Sequence, residues 1–113
     1  MSTTLEKHRE AMAYADDALF AKRNGDSDRA LSMFRLAFEC ERTAAELFAS
    51  ENDDEPTRSV LYRSAATLAL DCGEYREAER LVARALADDP PEEIAVELRD
   101  LLDRAYKLWG VRK

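Results

Sequence analysis

A chain of 113 residues is sized for one domain spanning 1–113. Hydrophobic residues make up 46% and charged residues 36%, which excludes a disordered chain, and no apolar run approaches the ~20 residues of a membrane span. The 24 acids and 17 bases leave a net charge of −7, so the basic face that general nucleic-acid binding requires is not expected.

The first helix is predicted from about Thr4 to Asn24, where Leu5, Met12, Ala15, Leu19 and Lys22 recur at three-to-four spacing and Gly25 follows as a stop. Asp26 or Ser27 can cap a second helix that runs to about Ala49. Its apolar positions include Ala30, Phe34, Ala37, Phe38, Ala44, Ala45 and Phe48. An acidic loop at 51–55 ends on Pro56, and Pro56 or Thr57 opens a third helix that reaches Cys72 before Gly73. The fourth helix spans about Tyr75 to Ala87, and Asp88-Asp89-Pro90-Pro91 stops it. The fifth covers about 91–109, with acids in its first turn and a stripe of Ile94, Leu98, Leu101, Leu102, Ala105 and Trp109. Arg104, Lys107, Arg112 and Lys113 suit the negative end of that helix dipole.

The chain repeats itself at a shift of 48: Gly25 meets Gly73, Tyr14 meets Tyr62, Ala18 meets Ala66, and Ala21 meets Ala69. Ala30, Phe34 and Ala37 likewise meet Ala78, Val82 and Ala85. In the second copy Tyr62, Ala65, Ala66, Ala69, Gly73, Tyr75, Ala78, Val82, Ala85 and Pro90 stand at the spacing of a helix–turn–helix repeat. This resembles the tetratricopeptide repeat. The segments Pro56–Ala66 and Leu70–Leu81 are also similar to short bacterial tetratricopeptide-like proteins, a likeness that implies a fold and no activity. The 48-residue spacing exceeds the family's ~34 residues, and the excess falls between Glu39 and Pro56. It reads as a prolongation of the second helix by two or three turns, which projects or folds over one end.

The expected architecture is therefore all-α, with about five helices. Two tetratricopeptide-like antiparallel hairpins, about 4–50 and 56–89, are closed by a capping helix at about 91–109. Valine at Gly73 is expected to destabilise strongly, and valine at Gly25 more mildly, because the repeat match is better around Gly73.

Motifs for chemistry are missing from the sequence. His8 is the single histidine, Leu5 stands three positions before it, and the Glu-x-x-His pairs of di-iron bundles are absent. His8 reads as a solvated surface residue. Cys40 and Cys72 form no Cys-x-x-Cys pair and read as free thiols packed among small apolar residues. Nucleophile elbows and phosphate loops are also lacking. No enzyme activity, cofactor or metal is expected. The segment Met1–Lys7 lacks the apolar core of a signal peptide, so a cytoplasmic location is expected.

The resemblance implies instead a protein-binding face lined by the first helix of each hairpin. Carried over, that face comprises Met12, Ala15, Leu19, Lys22, Arg63, Thr67 and Leu70. Some family members clamp a terminal carboxylate with Lys and Asn there, but this chain has Ala15, Leu19, Arg63 and Thr67 at the matching positions, so that specificity is not carried over. Arg63 offers an anchor for an acidic group or is simply ion-paired. Met12 and Leu19 offer apolar contact or are core residues under the prolonged helix. Trp109 closes the bundle or docks on a second copy. The expected function is an adaptor or scaffold that binds a protein or peptide segment, with no nucleic acid and no membrane. The alternatives are a self-associating structural module and a bundle that binds a small ligand or metal.

Overall fold

The computed structural model describes residues 3–110; Met1, Ser2, Arg112 and Lys113 from the sequence readings lie outside them. Five helices follow in order: α1 (Thr4–Arg23), α2 (Ser27–Glu51), α3 (Thr57–Asp71), α4 (Tyr75–Ala87) and α5 (Glu92–Trp109). No strand occurs among the described residues, so the all-α expectation holds.

Local chemistry sets most helix ends. The Thr3 hydroxyl accepts the Glu6 amide at 3.1 Å and donates to the Glu6 carboxylate, capping the start of α1. Asp26 caps α2 by accepting the Arg29 amide at 3.2 Å. The Glu55 carboxylate accepts the Ser59 amide at 3.0 Å in the first turn of α3. Glu92 and Glu93 lie at the positive end of the α5 dipole.

The two glycine turns are superposable in kind. Gly25 and Gly73 have φ of +78° and +77°, and each amide reaches the carbonyl three residues back at 3.1 Å. The next amides, of Asp26 and Glu74, donate to Ala21 and Ala69 at 2.9 and 2.8 Å. These bonds satisfy carbonyls that a helix end would otherwise leave bare. A Cβ at either glycine meets nothing within 4 Å, so the cost of a side chain is the left-handed backbone alone. The unequal effects expected from the repeat match are therefore corrected. Gly25→Val and Gly73→Val are each expected to lose about 1–2 kcal/mol, measured as near-equal shifts in urea midpoint. A large difference between the two would show that the turns are not equivalent.

Alanines make the close approaches. Ala18, Ala21, Ala30 and Ala37 are buried in the first hairpin, as are their counterparts Ala66, Ala69, Ala78 and Ala85 in the second. Around them Phe34, Phe38, Leu61, Leu68, Leu81, Val82 and Leu98 complete one core. A fully buried Leu or Val contributes about 1.5–3 kcal/mol in apolar transfer, before the entropy of ordering is subtracted. Each helix packs on the next, and α3 also packs on α5. No Cα pair within 8 Å joins α1 to α3 among the described residues.

The prolonged second helix is real: α2 has 25 residues against 13 in α4. It does not project. In the register of the repeat, α1 starts about five residues earlier than α3, so the first hairpin is lengthened on both arms. The extra turns of α2 lie against the start of α1 on one side and the start of α3 on the other, with Phe48 and Ala49 packed on the core. The excess in the repeat spacing therefore falls in α2, as its length against α4 shows, and the early start of α1 is an additional lengthening outside that spacing.

Between α2 and α4, long side chains span a gap that the backbones do not close. Arg35 pairs with Glu74 at 2.8 Å, Arg42 with Glu77 at 3.2 Å, and Arg84 with Glu46 at 3.2 Å. Glu77 also binds Arg80, whose hydrogen bond, with help from Arg42, holds the Glu77 carboxyl below the usual carboxylate range. A depressed carboxyl stabilises the fold above its unfolded pKa, and this stabilisation is lost as pH falls through the folded value. At the far end, Trp109 packs on Tyr75 with ring centroids 6.5 Å apart, under the Arg76 guanidinium at 5.0 Å. The Tyr106 hydroxyl donates to Glu79 at 2.5 Å. These contacts join the end of α5 to α4.

Candidate functional site

Among the described residues α1 and α3 share no Cα pair within 8 Å, and the groove between them over α2 opens as two separate recesses, one at each end. On α1 the wall consists of Leu5, His8, Met12, Ala15, Leu19 and Lys22, which helical spacing places on one face. At the Gly25 end, Lys22, Ala30, Leu31, Phe34 and Asp71 line a recess of about 330 Å³. Desolvation raises the Asp71 carboxyl above its usual range, while Lys22 and Arg104 pull it down. At the opposite end the groove widens into a cleft of about 570 Å³. Leu5, Phe48, Pro56, Val60 and Leu61 supply its apolar lining, and His8, Glu51, Asn52 and threonines its polar part.

One bridge crosses the groove. The Glu41 carboxylate on α2 is 0% exposed, yet it has partners on both walls. His8 Nδ1 lies 2.9 Å from each of its oxygens, and the Ser64 hydroxyl donates to it at 2.6 Å. The network ties α1, α2 and α3 together where α1 and α3 have no backbone contact. His8 is therefore not the freely solvated residue expected; its ring is committed to a buried carboxylate. Glu41 and His8 both lie in the lengthened arms of the first hairpin and have no counterpart in the second.

The sequence-derived face is only partly assembled. Met12 and Ala15 are half-buried and pack against the core. Leu19 is 43% exposed, so the core alternative does not apply to it. Lys22 is exposed at the Asp71 end. Arg63 turns away from α1: it pairs with Glu97 of α5 at 2.5 Å, as the ion-pair alternative had it. The Thr67 hydroxyl is bonded to the Arg63 carbonyl at 3.0 Å. Leu70 is 5% exposed, a correction to its place on an open face, because α3 is flanked by α2, α4 and α5. Trp109 closes the α4–α5 contact and stands apart from the groove.

Leu5, His8, Glu41, Phe48, Val60 and Ser64 were missed as groove residues. Glu41 carried a signal: it interrupts the apolar run Ala37-Phe38, Ala44-Ala45, Phe48 at core spacing, where a charge needs a partner.

Cys40 and Cys72 are free thiols, and burial pushes both up from the usual thiol range. No cluster of three or more metal-ligating side chains occurs among the described residues, and no described helix is long and apolar enough to cross a membrane. No protein-family model, no curated protein and no solved structure matches the chain.

Proposed function

We propose that this protein is a non-catalytic, tetratricopeptide-like interaction module of the cytoplasm that holds a protein or peptide segment in the groove between α1 and α3. The apolar cleft at the groove mouth carries this reading: Leu5 is 55% exposed in its wall, beside half-buried Phe48 and Val60. Apolar side chains held half-open in a concavity are suited to receive those of a partner. The repeat resemblance is supported by the equivalent turns at Gly25 and Gly73 and by the paired burial of the matched alanines. Lys22, Leu19, Ala15 and Met12 extend the surface along α1, whereas Arg63 and Thr67 border it toward α5.

The test is a pull-down with tagged wild type and with a Leu5→Asp, Leu19→Asp variant, each checked by circular dichroism. Both leucines are more than two-fifths exposed, so the charges fall in solvent and helicity is expected to be retained. A partner captured by wild type and lost by the variant is the expected result. A partner held equally by both excludes the α1 face. Self-association is the second reading, favoured by Phe20, which is 66% exposed on the outer side of α1. Light scattering over a concentration series separates the two.

A further inference from the structure

We infer that the cleft at the groove mouth selects a basic amphipathic segment of a partner protein, with apolar side chains on Leu5, Phe48 and Val60 and Lys or Arg on the acidic rim. The inference rests on the groove reading above and adds the charge of the partner. Glu51 and Asn52 line the cleft where α2 ends, and the acidic loop continues from them to Pro56, another lining residue. Two acids of that loop are occupied: Arg58 Nε lies 3.6 Å from Asp53 and 3.2 Å from Glu55. Glu51 and Asp54 are exposed and have no side-chain ion pair among the described residues. The cleft lining contains no Lys or Arg among those residues. His8 is its one basic side chain, and the Nδ1 of His8 is already held by Glu41 at 2.9 Å. An acidic segment would meet the uncompensated Glu51 carboxylate in the lining, with the Asp54 carboxylate three residues further along the adjoining loop, and no Lys or Arg in the lining. A basic one gains Glu51 directly and the field of Asp54 beside the cleft, and the chain's net charge of −7 favours its approach.

Two fluorescein-labelled helical peptides with the same leucines, one otherwise rich in Lys and one in Glu, provide the probe in fluorescence polarisation on the intact chain. The Lys peptide is expected to bind at least about tenfold more tightly than the Glu peptide. Glu51→Gln with Asp54→Asn should weaken the Lys peptide about two- to tenfold, the range of exposed charge pairs. Asp16→Asn with Asp17→Asn makes the same charge change on exposed α1 positions and should weaken binding clearly less than the rim pair. Leu5→Ser should weaken binding with no change in charge.

If both peptides bind equally and Leu5→Ser weakens both, the charge inference fails while the groove reading stands. If the remote pair weakens the Lys peptide as much as the rim pair, the attraction is general and the cleft does not select. If neither peptide binds, the inference is overturned. If sedimentation shows a dimer that Leu5→Ser dissociates, a second copy covers the cleft and the inference is likewise overturned.

Discussion

Arg58→Ala is expected to cost on the order of 3 kcal/mol, a fall in melting temperature of about 10 °C or more for a domain of this size. Arg58 is 2% exposed, the most deeply buried cation among the described residues. Its Nη2 donates to the Ala85 carbonyl at 2.9 Å and its Nη1 to the Arg84 carbonyl at 3.5 Å. It thereby satisfies carbonyls at the end of α4, where neither Asp88 nor the left-handed Asp89 that follows it makes a backbone capping bond. The guanidinium also holds Glu55 at 3.2 Å and Asp53 at 3.6 Å, and lies over the Tyr62 ring at 5.7 Å from the centroid. Removing it opens a void beside Tyr62, strips donors from the α4 terminus and frees the loop before α3. The acids it leaves can return to water, which keeps the loss below that of a stranded buried charge. Arg58→Lys retains one charge but not the planar fork that reaches carbonyls and carboxylates together, so an intermediate midpoint is expected. Wild-type midpoints for Arg58→Ala by both heat and urea would refute the capping role.

Glu41→Ala is expected to cost about 2–3 kcal/mol, since it creates a cavity and leaves the Ser64 hydroxyl without its acceptor. Glu41→Gln keeps the shape and one acceptor oxygen, so it should lose less. Ser64→Ala should be costly in the wild type and nearly silent in the Glu41→Ala background. A coupling of at least about 0.5 kcal/mol in that double-mutant cycle marks a shared network. Additive effects would show that the 2.6 Å contact between Ser64 and Glu41 contributes nothing of its own. Amide exchange adds a second readout. Loss of Glu41 should raise exchange in the first turns of α1, which the bridge ties to α3, and leave α4 and α5 unchanged.

The sequence alone determined the helices and their ends, because those rest on local chemistry. Three-to-four spacing of apolar residues, glycines after Asn24 and Cys72, and prolines after Asp89 act within one or two turns of chain, and the bounds Tyr75–Ala87 follow from them. The repeat at a shift of 48 was legible for the same reason: the small residues it aligns are those that close helix packing demands. What neighbours decide was not legible. Leu19 and Leu70 were placed on one face, yet α1 has only α2 beside it and leaves Leu19 open, whereas α3 is flanked by three helices that bury Leu70. The partners of Glu41 lie 33 and 23 residues away, and the carbonyl that Arg58 caps lies 27 residues away. Such pairings depend on how helices are set against one another, a matter of tertiary packing that no helical period encodes. The tertiary structure therefore decided where the groove opens, which charges its rim leaves unpaired, and that His8 serves a buried carboxylate rather than solvent.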